Sequence, residues 1–129
     1  DVDKKTIKIS LPNRYKKMEN KEILDLAIEK MYEQIAKVEI ERAMEKTRIM
    51  LGFAPEEYEI KKMKNLGVCK ENKITINPEI VMYNRKVIDY VVLHQYCHLK
   101  HKNHTKAFWN MVEKYQPDYK KCEEILLNI

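Results

Sequence analysis

The chain is poor in residues that interrupt or cross-link a fold. Its 129 residues include 2 glycines and 4 prolines, which excludes collagen-like, linker-like and disordered compositions. The three cysteines, Cys69, Cys97 and Cys122, are odd in number and form no CxxC pair. We therefore expect no disulfide framework, and reduced thiols in the cytoplasm fit this pattern.

Long hydrophobic runs are missing too. The longest aliphatic runs, such as Val91-Val92-Leu93, have three residues, whereas a membrane-spanning helix needs about 20. The first thirty residues carry charges throughout and lack the apolar segment of a signal peptide. These absences predict a cytoplasmic protein without membrane contact, and the length predicts a single domain over residues 1–129.

The composition that remains is that of a globular domain. Hydrophobic residues make up 44% of the chain and charged residues 35%, enough for a core and a well-solvated surface. The net charge is +5, but the basic excess is spread along the chain. This distribution favours an ordinary basic surface over a nucleic-acid footprint.

The periodicity predicts an α+β fold. A long helix is expected from Asn20 to Gly52, as one helix or as two with a bend near residue 40. Its apolar positions recur at helical spacing and form one face, which continues through Ala43 and Met44 to Leu51 and begins with Leu24, Ala27, Ile28, Met31, Ile35 and Val38. Alternating segments predict paired strands at 58–63 and 72–77, with Gly67 as a break between them, and a short strand or an ordered N-terminal arm at 5–11. Helices are expected at 85–100, at 105–115 and after Pro117.

All four histidines lie between positions 94 and 104. His94 and His98 are four residues apart on a predicted helix, so their Cβ atoms lie about 5–6 Å apart and both rings can bind one Zn²⁺. His101 would lie about 10.5 Å from His94 along a continued helix, too far to share the ion comfortably. His104 can supply the third ligand if the chain turns after His98 or Lys100. The sequence therefore predicts zinc bound by His94, His98 and His104 with water at the fourth position.

The segment around His104 has residues suited to such a turn. Asn103 tolerates the left-handed conformation that a turn often needs, and Thr105 can cap the next helix. Phe108-Trp109 is expected to pack this helix beneath the metal site. His101 is then expected at the surface or beside a ligand.

These residues also carry a family resemblance. His94-Gln95-Tyr96-Cys97-His98, with His104 and Phe108-Trp109, resembles the HExxHxxxxxHxxxFW signature of YgjP-like zinc metallopeptidases, relatives of SprT-like and WLM-type proteases. The similarity covers roughly residues 29–127. It implies a zincin-like minimal metallopeptidase domain with a long N-terminal helix, a small sheet, a metal-binding helix and C-terminal helices. The resemblance leads us to expect that this sequence corresponds to the catalytic half of the family, without the family's N-terminal β-rich region.

The resemblance implies that the domain hydrolyses peptide bonds in proteins or peptides through a zinc-bound water. The family has a general-base glutamate where this chain has Gln95, and an amide cannot accept the proton. General-base catalysis is worth about 10²–10⁴-fold, so we expect an inactive or severely impaired enzyme. A deliberate Glu→Gln substitution or a natural inactive paralogue would explain Gln95, and the preserved ligands slightly favour the former.

Zincins pair an edge strand with the extended substrate. The resemblance makes 72–77 the candidate edge, with Ile74, Thr75 and Ile76 as substrate contacts. In the preceding loop, Asn65-Leu66-Gly67-Val68-Cys69 replaces the family's Arg-Trp-Gly-Ser-Cys. The alternative function is a non-catalytic, zinc-stabilised binding module, with DNA association as one form that the dispersed charge does not support.

Overall fold

The computed structural model describes residues 19–127. Contacts divide the chain into two compact units, residues 1–31 and residues 32–129, and all four histidines belong to the second. The short strand or ordered arm expected at 5–11 lies outside the described residues. Within 19–127, no helix is long and apolar enough to cross a membrane.

The first element is one continuous helix, α1 (Asn20–Leu51). Gly52 ends it as predicted: its φ of +84° is a left-handed conformation that glycine adopts without strain, and its N–H donates to the Arg48 carbonyl at 2.8 Å. The apolar face expected on α1 is largely exposed, with Met31 at 63% and Val38 at 61%. The later part of the predicted pattern is confirmed, because Ala43 and Met44 are buried, together with Ala36, Ile40 and Thr47.

A three-stranded mixed sheet follows, made of β1 (Glu57–Ile60), β2 (Gly67–Lys70) and β3 (Lys73–Ile76). The strand order is β1-β3-β2. The predicted pairing of the first and last segments is confirmed, and it is parallel. β2 pairs antiparallel with β3 and was not predicted, because Gly67 begins this strand rather than breaking one.

The turn between β2 and β3 explains the missed strand. Glu71 and Asn72 form a two-residue hairpin loop with φ of +50° and +65°, the left-handed pair that the twist of a hairpin favours. Asparagine tolerates that conformation well. Asn72 is therefore the residue from which a hairpin over 67–76 could have been predicted.

The C-terminal half is helical: a short 3-10 helix (Pro78–Met82), then α2 (Arg85–His98), α3 (Lys106–Tyr115) and α4 (Tyr119–Leu127). The Asn84 side chain caps α2 by accepting the Val87 N–H at 3.0 Å. α2 is the central element, with nine buried residues, and it contacts β2, β3, α3 and α4.

Ion pairs fix α2 against the C-terminal half of α1. Asp89 accepts from Arg42 at 3.0 Å and from Lys46 at 2.8 Å, while Arg85 pairs with Glu39 at 3.1 Å. Partly buried networks of this kind hold orientation better than isolated surface pairs do. The histidine-bearing helix is thus held by packing on one side and by charge on the other.

Candidate metal centre and active site

The backbone turns sharply between the second and third histidines. α2 ends at His98, and the N–H groups of Leu99 and His101 donate to the carbonyls of Tyr96 and Cys97 at 3.0 and 2.9 Å. Thr105 then caps α3 as predicted, its hydroxyl accepting the Phe108 N–H at 3.3 Å. Asn103 is not left-handed: within 19–127 the positive-φ residues are Gly52, Glu71 and Asn72.

This turn brings His94, His98 and His104 together. Their Nε2 atoms form a triangle with sides of 3.2 Å (His94–His98), 3.0 Å (His98–His104) and 3.2 Å (His94–His104). A metal bound tetrahedrally by nitrogens at about 2.0–2.1 Å would separate them by about 3.3 Å. The residues present therefore fit a metal ion, as three ligands with room for a fourth.

Hydrogen bonds on the far side of two rings fix which nitrogen faces the metal position. His98 Nδ1 lies 3.0 Å from the His101 carbonyl oxygen, which can only accept, so Nδ1 carries the proton and Nε2 keeps its lone pair. This outer contact is the kind that metal-bound histidines make. His101 contributes through its backbone, in agreement with the expectation that it lies beside a ligand.

His94 has a different outer partner. Its Nδ1 lies 3.2 Å from the hydroxyl of Tyr90, one helical turn earlier. Burial and the carboxylate of Glu123 raise the pKa of Tyr90 above its usual value, so the hydroxyl stays protonated. When Nε2 of His94 faces the metal position, Nδ1 carries the ring proton, and the Tyr90 oxygen lies where it can accept from Nδ1–H.

The surroundings of the two partly buried histidines, His94 and His98, favour their neutral forms. Burial, with the neighbouring His98 and His104, lowers the pKa of His94 to about 4. Burial also lowers the pKa of His98, and His104 adds to that shift against the opposing His101 carbonyl. Neutral imidazoles are the form that binds metal. Two converging lone pairs without protons repel each other, and a cation between them removes that repulsion.

Aromatic side chains support the three rings from below. Phe108 is fully buried, with its ring centroid 4.9 Å from His94, 4.6 Å from His98 and 4.9 Å from His104. Trp109 lies 5.5 Å from His104. The expectation that this pair packs α3 beneath the site matches the structure.

Gln95 is buried, 7% exposed, and its side chain contacts the start of β2. A methyl group added at Gly67 would lie 2.8 Å from Gln95 Nε2 and 3.1 Å from its Cγ. A side chain at position 67 would therefore push against the Gln95 side chain, so Gly67 leaves room for the residue at position 95. The sequence signal for this contact is Gly67, which, like Cys69, is shared with the corresponding loop of the family.

Comparison with known proteins identifies the family of this chain. The family model described as YgjP-like, metallopeptidase domain, matches residues 2–128. The chain belongs to this family. A search of curated proteins found no match.

The fold of this YgjP-like domain is shared with archaeal metallopeptidases. The crystal structure of the metallopeptidase zymogen of Pyrococcus abyssi abylysin has a TM-score of 0.62 and 24% identity, covering 69% of this chain and 92% of that chain. The zymogen of Methanocaldococcus jannaschii jannalysin has a TM-score of 0.61 and 22% identity, covering 70% and 88%. These likenesses support the zincin-like α+β fold.

The sheet corrects one expectation for the YgjP-like domain. The segment holding Ile74, Thr75 and Ile76 was expected to be an edge strand, but β3 is central and paired on both sides. Its backbone has no free edge, and the side chains of Ile74 and Ile76 are fully buried. The expectation is wrong because strand order depends on β2, which the sequence analysis missed.

The cysteines of this domain are not placed as nucleophiles. Cys97 is buried within α2, and burial raises the pKa of its thiol to about 12. Burial likewise raises the pKa of Cys69 and of Cys122. Their thiols stay protonated at neutral pH, which is the unreactive form.

Proposed function

We propose that this metallopeptidase domain binds zinc through His94, His98 and His104 and is built to hydrolyse peptide bonds, with its turnover impaired by Gln95. The observation that carries the proposal is the Nε2 triangle of 3.0–3.2 Å. Nitrogen ligands in a three-histidine set with an open position are typical of catalytic zinc. Zinc, when bound, activates a water molecule as nucleophile and polarises the scissile carbonyl.

The chain's own residues have distinct roles in this proposal. The histidines bind the ion, while Tyr90 and the His101 carbonyl hold the Nδ1 protons that keep each Nε2 directed inward. Gln95 occupies the general-base position. Its amide can hydrogen-bond a water but cannot take a proton from it, so the step that needs a base has no acceptor.

We propose β2, in place of β3, as the strand that receives the substrate. In the sheet that residues 19–127 form, β2 is an edge strand, it contacts α2, and a methyl group at its Gly67 would touch the side chain at position 95. Cys69, Lys70 and His98 line one common cleft. An extended peptide added to this edge would lie beside the metal position through backbone hydrogen bonds.

The substitution Gln95→Glu tests the proposal. It restores a carboxylate of nearly equal size, so we expect turnover of a peptide or unfolded protein to rise by at least about 10²-fold, the lower end for a positioned general base. Zinc affinity should change little, because position 95 is not a ligand. Turnover is compared at equal zinc occupancy.

A matched control is Gln95→Ala, which removes the amide without supplying a base and should stay inactive. A chelator must abolish the gained activity. Equal, zinc-independent rates for the original and the Gln95→Glu protein would refute the peptidase proposal. The alternative, a non-catalytic zinc-stabilised binding module, would then explain why the ligands are kept and the base is not.

A further inference from the structure

A cleft in the described part of the chain opens beside one of the metal ligands. Its volume is about 810 Å³, and His98 forms part of its wall. Phe53, Cys69 and Leu99 supply apolar surface, and Cys69 belongs to β2, an edge strand of the sheet that the described residues form. A peptide paired with that edge would direct a side chain into this space, since neighbouring residues of a strand point to opposite faces.

The rim of this cleft is basic, although basic residues are spread evenly along the sequence as a whole. Lys70, Lys100 and Lys102 line it, against a single acid, Glu71. Within residues 19–127, none of these three lysines forms an ion pair, whereas Lys46, Lys73 and Lys86 do. The cleft therefore has an excess of two positive charges that no protein carboxylate neutralises.

One of these charges is held against the wall. The Lys100 ammonium lies 4.7 Å from the centroid of the Phe53 ring, a cation–π contact that favours this position over free movement in solvent. Lys100 follows His98 by two residues, so its charge stays close to the metal ligands. Concave surfaces lined by one sign of charge concentrate ligands of the opposite sign.

We infer that this cleft is a subsite for a carboxylate of the substrate, recognised by Lys70, Lys100 and Lys102. The inference rests on the proposed peptidase function and adds the substrate class: peptides with an acidic side chain, or a free C-terminal carboxylate, next to the bond held at the metal. A basic or neutral side chain in this position would leave the lysine charges unpaired.

Binding to the zinc-loaded protein as it stands tests the inference, because Gln95 allows binding without turnover. The probes are fluorescent alanine-based peptides that carry one Glu, Gln or Lys, moved along the sequence, each with an amidated or a free C-terminus. At low salt we expect the best Glu peptide to bind at least about fivefold tighter than its Gln counterpart. Added salt should reduce the difference, since exposed charges are screened.

The Lys100→Met variant should remove most of this selectivity, with further loss when Lys70→Met and Lys102→Met are added. The matched control is Lys114→Met: Lys114 also lies over an aromatic ring, Tyr115, at 5.2 Å, but outside the cleft. Its removal should leave the selectivity unchanged. Tighter binding of peptides with a free C-terminus than of peptides with an internal Glu would show that the cleft recognises the terminal carboxylate.

Four results would overturn the inference: equal affinity for Glu and Gln peptides, no measurable binding of any peptide, selectivity that survives loss of all three lysines, or a single-stranded oligonucleotide that displaces the peptides at lower concentration. Survival without the lysines would mean that the carboxylate binds the metal directly. Failure of this inference and failure of the proposed function can be told apart. The protein can prefer Glu peptides while the Gln95→Glu variant stays inactive, and the Gln95→Glu variant can cleave peptides without any preference for Glu.

Discussion

The hydrogen bond between Tyr90 and His94 should strengthen metal binding, and Tyr90→Phe isolates it. The substitution removes one hydroxyl and keeps the ring that stacks on Tyr119 at 6.2 Å. In the metal-bound protein, His94 Nδ1 must carry a proton because Nε2 is the ligand, and this buried N–H would lose its acceptor. In the metal-free protein the ring can change tautomer and avoid that loss.

The expected magnitude follows from this asymmetry. An unsatisfied buried donor costs about 1–3 kcal/mol, and the cost falls on the metal-bound state. Loss of an outer partner typically weakens metal binding by about 10–100-fold, which corresponds to about 1.4–2.7 kcal/mol. We therefore expect Tyr90→Phe to weaken zinc binding by about one to two orders of magnitude.

Competition with a chromogenic chelator at fixed pH measures this affinity without any need for activity. Tyr96→Phe is the control: Tyr96 is also buried on α2, but its hydroxyl donates to the Met44 carbonyl at 2.9 Å, away from the histidines. Tyr96→Phe should lower stability and leave zinc affinity unchanged. An affinity within about twofold of the original for folded Tyr90→Phe, or an equal loss for both variants, would refute the reasoning.

Four further predictions concern the ligands, the effect of the metal on stability, the pH dependence of stability and the strand beside the site. His104→Ala should lose stoichiometric zinc in elemental analysis, whereas His101→Ala should keep it; the reverse result would mean that the third ligand is wrongly assigned. Protein stripped of metal by EDTA should melt at a lower temperature, because metal binds only the folded state. Between pH 6.5 and 4 the unfolded state of this metal-free protein binds more protons than the folded state, because the pKa of His94 is lowered to about 4 in the folded protein. Denaturant titration should therefore show the free energy of unfolding falling by up to about 3 kcal/mol as the pH is lowered through this range. A flat profile would contradict this prediction. In the Gln95→Glu variant, Gly67→Ala should reduce turnover at least about tenfold at unchanged zinc occupancy. The control is Gly52→Ala, whose added methyl group would have no neighbouring atom within 4 Å. It should lower the free energy of unfolding by about 1 kcal/mol and leave turnover unchanged.

The metal centre was predictable because its geometry is local. Helical spacing alone places His94 and His98 on one face, and a turn of a few residues is enough to return His104 to them. The outer partner of His98 is a backbone carbonyl three residues away. The Tyr90 contact was equally within reach, since Tyr90 precedes His94 by one helical turn, but no local signal shows that its hydroxyl turns toward the ring.

The sheet was harder to predict because strand order is a long-range property. The alternation at 72–77 identifies a strand correctly and says nothing about which neighbours flank it. The exposed apolar face of α1 has a similar cause: spacing predicts that Leu24 and Ile35 share a face, whereas contacts with other elements bury Ala36 and Ile40 instead. Small residues allow the closer packing that these contacts need.

Gly67 links the missed strand to the chemistry. Its closeness to position 95 depends on the size of that side chain, and glutamine and glutamate have nearly the same size. The strand edge, the glycine and the three ligands therefore all accommodate a glutamate without rearrangement, and the single property that Gln95 lacks is the capacity to accept a proton. In the proposed function, substrate binding and turnover depend on different atoms of this site, so we predict that the chain with Gln95 holds a peptide along β2 and leaves it uncut.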